Sequence, residues 1–307
     1  MKARIILSAA VIFFLSIIFT SCQKSVGSVD ESTEVSAQAD DQNNVSTDVD
    51  EVANDADVML ESSSSFSGRG QDVQSLLCNA TVVIDTASNP RTITITYNGL
   101  NCIGNLNRTG VVVISMAQNI RWRDAGAAIT ITFQNLRITR VRDSKSITIN
   151  GAKTYTNVSG GLLINLSTLG SITHTISSNG LSITFDNNTQ RSWQIAKQRV
   201  FTYNNGVVIT TTGTHTDGNT TGIAEWGTNR FGHTFTTAIT QPMIVRQDCN
   251  FRLTSGQVVH TRPAVTATVT FGLDASGNPT SCPGSGHYYM KIVWVNSAGT
   301  HTLILPY

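Results

Sequence analysis

The sequence predicts an all-β body of many short antiparallel strands joined by hairpins, folded as a sandwich, a roll or a long twisted meander. Two observations carry this. Apolar and hydroxylated residues alternate with period two in Thr92-Ile93-Thr94-Ile95-Thr96-Tyr97, Ala128-Ile129-Thr130-Ile131-Thr132-Phe133, Ser146-Ile147-Thr148-Ile149 and Leu181-Ser182-Ile183-Thr184-Phe185. Such alternation turns β-branched and aromatic groups to one sheet face and threonine hydroxyls to the other. The second observation is a set of doublets that supply positive φ for tight hairpins, Asn98-Gly99, Asn150-Gly151, Asn179-Gly180, Asn205-Gly206 and Asp217-Gly218. About fourteen to eighteen strands fit the chain by this reading, with a helical turn or two expected only around Gln71 to Leu77. A transmembrane barrel is disfavoured because most alternating runs have about five to seven residues, fewer than the nine to eleven a membrane strand needs.

The chain has 307 residues, of which 13% are charged and 40% hydrophobic, with a net charge of +1. It begins as an export signal: Lys2 and Arg4 precede a nearly unbroken apolar run from Ile5 to Thr20. The run ends at Phe19-Thr20-Ser21-Cys22, which resembles the bacterial lipobox, so residues 1–21 are read as a lipoprotein signal peptide and Cys22 as the lipidated first residue of the mature chain. Two or three acyl chains, at about 0.8 kcal/mol per buried methylene, hold a protein on a bilayer. The expected localisation is the outer membrane, lipid-anchored by palmitate-type chains, on its periplasmic or cell-surface face.

Residues 22–65 are read as an acidic, disordered tether, because eleven acids face the single base Lys24 there. Acids soon after the lipidated cysteine, Asp30-Glu31 here, resemble surface-export signals of Bacteroidota lipoproteins. Removing those eleven acids from the chain's 20, and Lys2, Arg4 and Lys24 from its 21 bases, leaves nine acids against eighteen bases, about +9 on residues 66–307. Glu225 is the one glutamate of that body. A basic surface favours anionic partners, and Arg121, Arg123, Arg137, Arg140 and Arg142 form its densest group. Nucleic acid is not an expected partner, since neither a recognition helix nor an aromatic RNA-binding strand is legible.

Four cysteines remain in an exported chain, Cys78, Cys102, Cys249 and Cys282, and disulfides are the default for them. Three pairings exist. Proximity favours Cys78 with Cys102 through the turn at Thr86-Ala87-Ser88-Asn89-Pro90, leaving Cys249 with Cys282. Each bridge would stabilise by about 3 to 4 kcal/mol in the chain-entropy view. Absence of a C-x-x-C spacing argues against a metal site, and no cofactor is expected.

Little points to catalysis. His215-Thr216-Asp217 places a histidine and an acid on one strand face, but Asp217-Gly218 reads first as a turn. Neither a nucleophile elbow, H-E-x-x-H nor a Walker loop is present, and the nine acids of the body offer no preferred carboxylate pair for glycoside hydrolysis. No catalytic residue is assigned. Aromatic faces that stack on sugars are the better candidates for ligand contact. Trp122, flanked by Arg121 and Arg123, is the one expected to be exposed, whereas Trp294 in Met290-Lys291-Ile292-Val293-Trp294-Val295 reads as core. Asp85-Thr86-Ala87 resembles the Asp-Ser/Thr-apolar acceptor for O-glycosylation of exported Bacteroidota proteins, which makes Thr86 a candidate modification site.

The order of several short pieces resembles a set of uncharacterised Bacteroidota outer-membrane lipoproteins. These pieces are Arg91-Thr92-Ile93-Thr94-Ile95, Cys102, Asn107-Arg108-Thr109-Gly110, Ile129-Thr130-Ile131-Thr132-Phe133, Gly151-Ala152-Lys153-Thr154-Tyr155-Thr156-Asn157, Thr212-Gly213-Thr214-His215-Thr216-Asp217-Gly218 and Pro242-Met243-Ile244-Val245-Arg246-Gln247-Asp248-Cys249. The likeness departs near Cys282, where an acidic neighbour is replaced by Ser281 and Pro283, and it transfers no catalytic residue. The expected function is a non-enzymatic envelope lipoprotein, a structural or ligand-binding β-module tethered to the outer membrane, with a glycan or envelope protein as partner. The alternatives are a glycan-binding or glycan-active protein and a fimbrial or adhesin-type subunit that uses strand addition.

Overall fold

The structure is a computed structural model that describes residues 31–63, 66, 77–263, 265–282, 286–296 and 299–307. The signal peptide, Cys22 and all but the last residue of the expected turn at Gln71 to Leu77 lie outside the described residues. The chain divides into two units, Met1–Glu34 and Val35–Tyr307. The second unit contains the all-β fold.

Its strands follow one another as β1 (Ala80–Asp85), β2 (Arg91–Leu100), β3 (Leu106–Met116), β4 (Ala127–Arg140), β5 (Ser146–Asn157), β6 (Ser171–Phe185), β7 (Gln190–Tyr203) and β8 (Val207–Gly213). Then come β9 (His215–Asp217), β10 (Thr220–Thr228), β11 (Thr234–Arg246), β12 (Arg252–Arg262), β13 (Val265–Leu273), β14 (Tyr289–Asn296) and β15 (Gly299–Pro306). All pairings between these strands are antiparallel, and nearly all join neighbours in sequence, so the fold is the long meander among the three expected forms. The period-two pattern is realised as read: Ile93, Ile95 and Tyr97 are buried while Thr96 is exposed, and Ile129, Ile131 and Phe133 are buried while Ala128 and Thr130 are exposed.

Two local readings are corrected. Strands of up to 15 residues replace the expected runs of five to seven, which removes the length argument against a barrel. β1 nevertheless pairs only with β2 and β15 only with β14, so the sheet is open at both ends among the described residues. The strands are longer because several glycine doublets lie inside them. Only Asn205-Gly206 and Asp217-Gly218 are at strand-joining turns. Asn150-Gly151 and Asn179-Gly180 instead mark register shifts within β5 and β6. Shifts occur in four successive pairs, β3 with β4 through β6 with β7. Each extra residue bends its strand and increases the twist, and aligned across neighbours they curl the sheet. At Gly110 (φ 109°) a Cβ would lie 2.3 Å from the Asn135 carbonyl oxygen, so only glycine fits. Asn135 itself has φ 48°, and its N–H donates to the Asn150 side chain at 2.8 Å.

The larger correction concerns the expected tether. Residues Glu31–Ser62 form one helix, α1, which from Val35 onward belongs to the β-unit and lies against the apolar face of the sheet. Val45, Val49, Val52, Ala56 and Met59 recur at three- and four-residue intervals and pack into one cluster with Ile93, Ile95, Ile114, Ile131 and Ile149 of the sheet. Val35 and Ala39 join a second cluster with Val258, Val269, Ile292 and Trp294. The acids of α1 meet cations that point inward from the strands. Arg108 donates to Asp55 at 2.7 Å and the Tyr97 hydroxyl to the same carboxylate at 2.9 Å. Arg230 holds Asp41 with two hydrogen bonds of 2.6 and 2.5 Å. Arg191 donates to Gln42 at 2.7 Å, Lys153 to the Val49 carbonyl at 3.2 Å, and the Leu163 N–H to Glu61 at 2.6 Å. The described part of the segment is helical because several of its acids, Asp41, Asp55 and Glu61 among them, find cations and N–H donors of the body rather than water, a possibility that composition alone conceals.

Both disulfides are formed as proximity suggested, Cys78 to Cys102 and Cys249 to Cys282, each with a Cα separation of 5.1 Å.

Removing one partner of a buried ion pair strands the other charge. Asp55→Ala is expected to destabilise the chain by about 3 kcal/mol or more, read as a lower urea midpoint. Thr130→Ala, on the outer face, is expected to change stability by less than about 0.5 kcal/mol.

Candidate functional site

Where β10 gives way to β8, the two strands share one place in the sheet. Ser192–Ile195 of β7 pairs with β10, and Lys197–Tyr203 of the same strand pairs with β8. On the other side, Thr234–Ala238 of β11 pairs with β10 and Met243–Arg246 with β8. The exchange requires close backbone approach: a Cβ on Gly213 would sit 2.0 Å from the Gly222 carbonyl oxygen. Beneath this junction, between α1 and the inner face of β7, β8 and β10–β13, lies a cavity of about 630 Å³.

The cavity has two kinds of wall. One is apolar, built from Phe201, Ile209, Ile239, Met243, Leu253 and Phe271. The other is a polar strip in which Glu51, Asp55 and Asp57 of α1 face Arg108, Lys197, Arg199, Glu225 and His260 of the sheet. Both disulfide-bearing loops reach its rim, through Cys102 and Ile103 on one side and Asn250 and Phe251 on the other. Ile103 and Phe251 are 80% and 51% exposed, so the rim presents apolar side chains to solvent.

The strip is strongly perturbed by burial. Asp57 is pushed up to about 7, first by desolvation and then by Glu61, against the opposing pull of Arg199, the Tyr155 hydroxyl and Lys153. Burial also raises Glu51, which accepts from Asn101 at 3.4 Å. His260, bonded to the Thr237 hydroxyl at 2.9 Å, is lowered to about 3 by burial and by Arg191 and Arg262. Lys197 and Glu225 form an ion pair, and Ser46 donates to Glu225 at 2.7 Å. Behind Phe201, His174 is packed among Trp122, Tyr155 and Phe201 with ring centroids 4.9 to 5.2 Å away, and burial lowers it to about 3.

That cluster corrects the expected contact site. Trp122 is fully buried and stacks on Tyr155, so it is core rather than an exposed platform. Its neighbours Arg121 and Arg123 point to solvent from the loop between β3 and β4. The five-arginine group does not form one patch, because Arg121 and Arg123 precede β4 and Arg137, Arg140 and Arg142 lie at its far end, on the order of 40 Å away along the strand. Arg140 is half-buried and paired with Asp143 at 3.0 Å. His215 stacks on Trp226 at 4.1 Å rather than facing Asp217 across a site. Trp294 is buried, as read. Thr86 is exposed in the loop between β1 and β2, and Asp85 before it accepts from the N–H groups of Ala87 and Ser88 at 2.9 and 3.2 Å. Sequence reasoning did not find the cavity, since its lining comes from residues as distant as 51 and 271 and no local motif marks it.

Comparison of the chain with known protein families, curated proteins and solved structures finds no match.

The perturbed groups set opposite pH dependences. Asp57, with its folded value raised, contributes stability that is full below about pH 4 and lost as pH rises to about 7. His174 and His260, with folded values lowered, contribute stability present above about pH 6.5 and lost as pH falls toward 3. Asp57→Asn is therefore expected to gain on the native chain between pH 4 and 7, by on the order of 4 kcal/mol at the upper end, and denaturant midpoints at several pH values measure it.

Proposed function

We propose that this chain is a lipid-anchored envelope protein whose β-unit encloses a ligand, a binding module rather than a catalyst. The observation that carries the reading is the 630 Å³ cavity with one apolar and one polar wall. Its size falls in the range of about 300 to 1,000 Å³ that encloses one small ligand, and apolar walls with a few convergent polar groups are the usual composition of such sites. The anchor rests on the export signal and lipobox ending at Cys22. The glycan-binding reading loses its principal support with the burial of Trp122.

Two measurements test this. Labelled palmitate is expected to enter the chain in an exporting bacterial host and to disappear with Cys22→Ala; label retained by that variant refutes the anchor. The neutral fluorescent probe N-phenyl-1-naphthylamine is expected to bind the full chain saturably, one per molecule. Thr211→Trp, which fills the cavity, should weaken it at least about tenfold, while Arg121→Ala should not; equal binding by all three refutes the cavity as the ligand site.

A further inference from the structure

At one end of the sheet, β15 presents an unguarded edge. It runs beside β14 without a register shift over all eight of its residues, and no other strand among the described residues borders it. Exposed edges are usually protected from pairing by charged side chains, a bulge or extreme shortness. β15 lacks the bulge, and no Asp, Glu, Lys or Arg stands between Ile292 and Tyr307. The opposite edge, β1, is shorter, at six residues, and ends on Asp85.

The inner face is also unfinished there. Val258, Val269, Ile292 and Leu303 lie opposite one another across β12, β13, β14 and β15. The first three are at most 6% exposed, whereas Leu303 and Leu305 pack on the same cluster but are only half-buried, with no described strand beyond them. The backbone is equally open. Because the Tyr307 N–H donates to the Tyr288 carbonyl at 2.9 Å, the odd-numbered residues of β15 turn their N–H and C=O groups to β14. Thr300, Thr302 and Ile304 therefore turn theirs to the open side, and no hydrogen bond among the described residues uses them. Pro306 shares that outward phase, in which an edge strand tolerates a residue without an N–H.

We propose that a second copy of the chain docks on this edge, β15 against β15 about a two-fold axis. Antiparallel pairing with Thr302 opposite Thr302 sets Thr300 opposite Ile304 of the second copy, so that every donor on the open side is used and Pro306 falls beyond the paired segment. The same register keeps the two apolar faces on one side and covers Leu303 with His301 of the second copy. A two-fold axis brings a strand against its own sequence, and like charges set opposite one another destabilise such a pair. Freedom from charge over the whole of β15 is what self-pairing demands, and a partner strand of different sequence makes no such demand.

The test uses the full chain with Cys22→Ser in dodecyl maltoside, carrying one added cysteine, treated with a mild oxidant and resolved on a non-reducing gel. Thr302→Cys is expected to form covalent dimers at least about tenfold faster than Arg121→Cys in the loop between β3 and β4, since a disulfide needs the two Cα atoms within about 7 Å. Adding Ile304→Pro removes a donor used only between copies, and is expected to slow the linking at least about tenfold while the thermal midpoint stays unchanged. Thr300→Pro takes its place if Ile304→Pro lowers that midpoint. Linking of Thr302→Cys no faster than that of Arg121→Cys overturns the proposal, and fast linking that withstands both prolines overturns the strand ladder. In a mixture of Thr302→Cys and Val83→Cys chains, preferential linking of one to the other makes β1 the partner strand and overturns the two-fold pairing; preferential linking of Thr302→Cys to itself supports it.

Discussion

The β-unit depends on charge neutralisation across an apolar interface. Arg91, Arg108, Lys153, Arg191, Lys197 and Arg199 all point inward from a sheet face otherwise made of isoleucine, valine and aromatic residues, and each is at most 8% exposed. Uncompensated cations there would oppose folding strongly. The acidic helix supplies carboxylates and carbonyls for several of them, and phenyl, phenol and indole faces supply the rest of the environment: Arg91 lies over Phe66 at 4.8 Å and Arg191 over Phe235 at 4.2 Å. The near-zero net charge of the chain is thus two opposed blocks of nearly equal size that meet inside the molecule.

This arrangement explains which parts of the fold were legible. Strand identity was, because period-two alternation is local: each Ile-Thr-Ile run decides its own face. Hairpin doublets were only partly so. Asn150-Gly151 has the chemistry of a turn, yet it serves a bulge, since what it becomes depends on whether the strand beyond it continues to pair. The helix was written in Val45, Val49, Val52, Ala56 and Met59, a clear helical period, and that signal was outweighed by a count of acids that took water as their only counter-environment. A sequence that is acidic in one block and basic in the next carries the complementary reading as well. Trp122 was misplaced for a related reason: flanking arginines suggested exposure, whereas alternate residues of a loop can face opposite ways.

The cavity was beyond local reading. It forms because β8 and β10 divide one lane of the sheet between them, and the inner face under that exchange is left with aliphatic groups that α1 does not cover, opposite ion pairs that it completes. The two disulfides stand at the rim rather than in the clusters beneath the strands, fixing the loops that carry Cys102 and Phe251. The same groups that make the interior electrically satisfied therefore give one wall of the site its polarity, so stability and ligand preference are not independent properties of this chain.

The position of α1 at the start of the chain has a consequence for the order of assembly. Ser46 meets Glu225 across 179 residues and Asp41 meets Arg230 across 189. A segment made early must wait, unpaired, until the strands that neutralise it have followed. Contacts of such sequence separation slow folding, and the interior of this protein cannot close before the strands that carry Glu225 and Arg230 have been made.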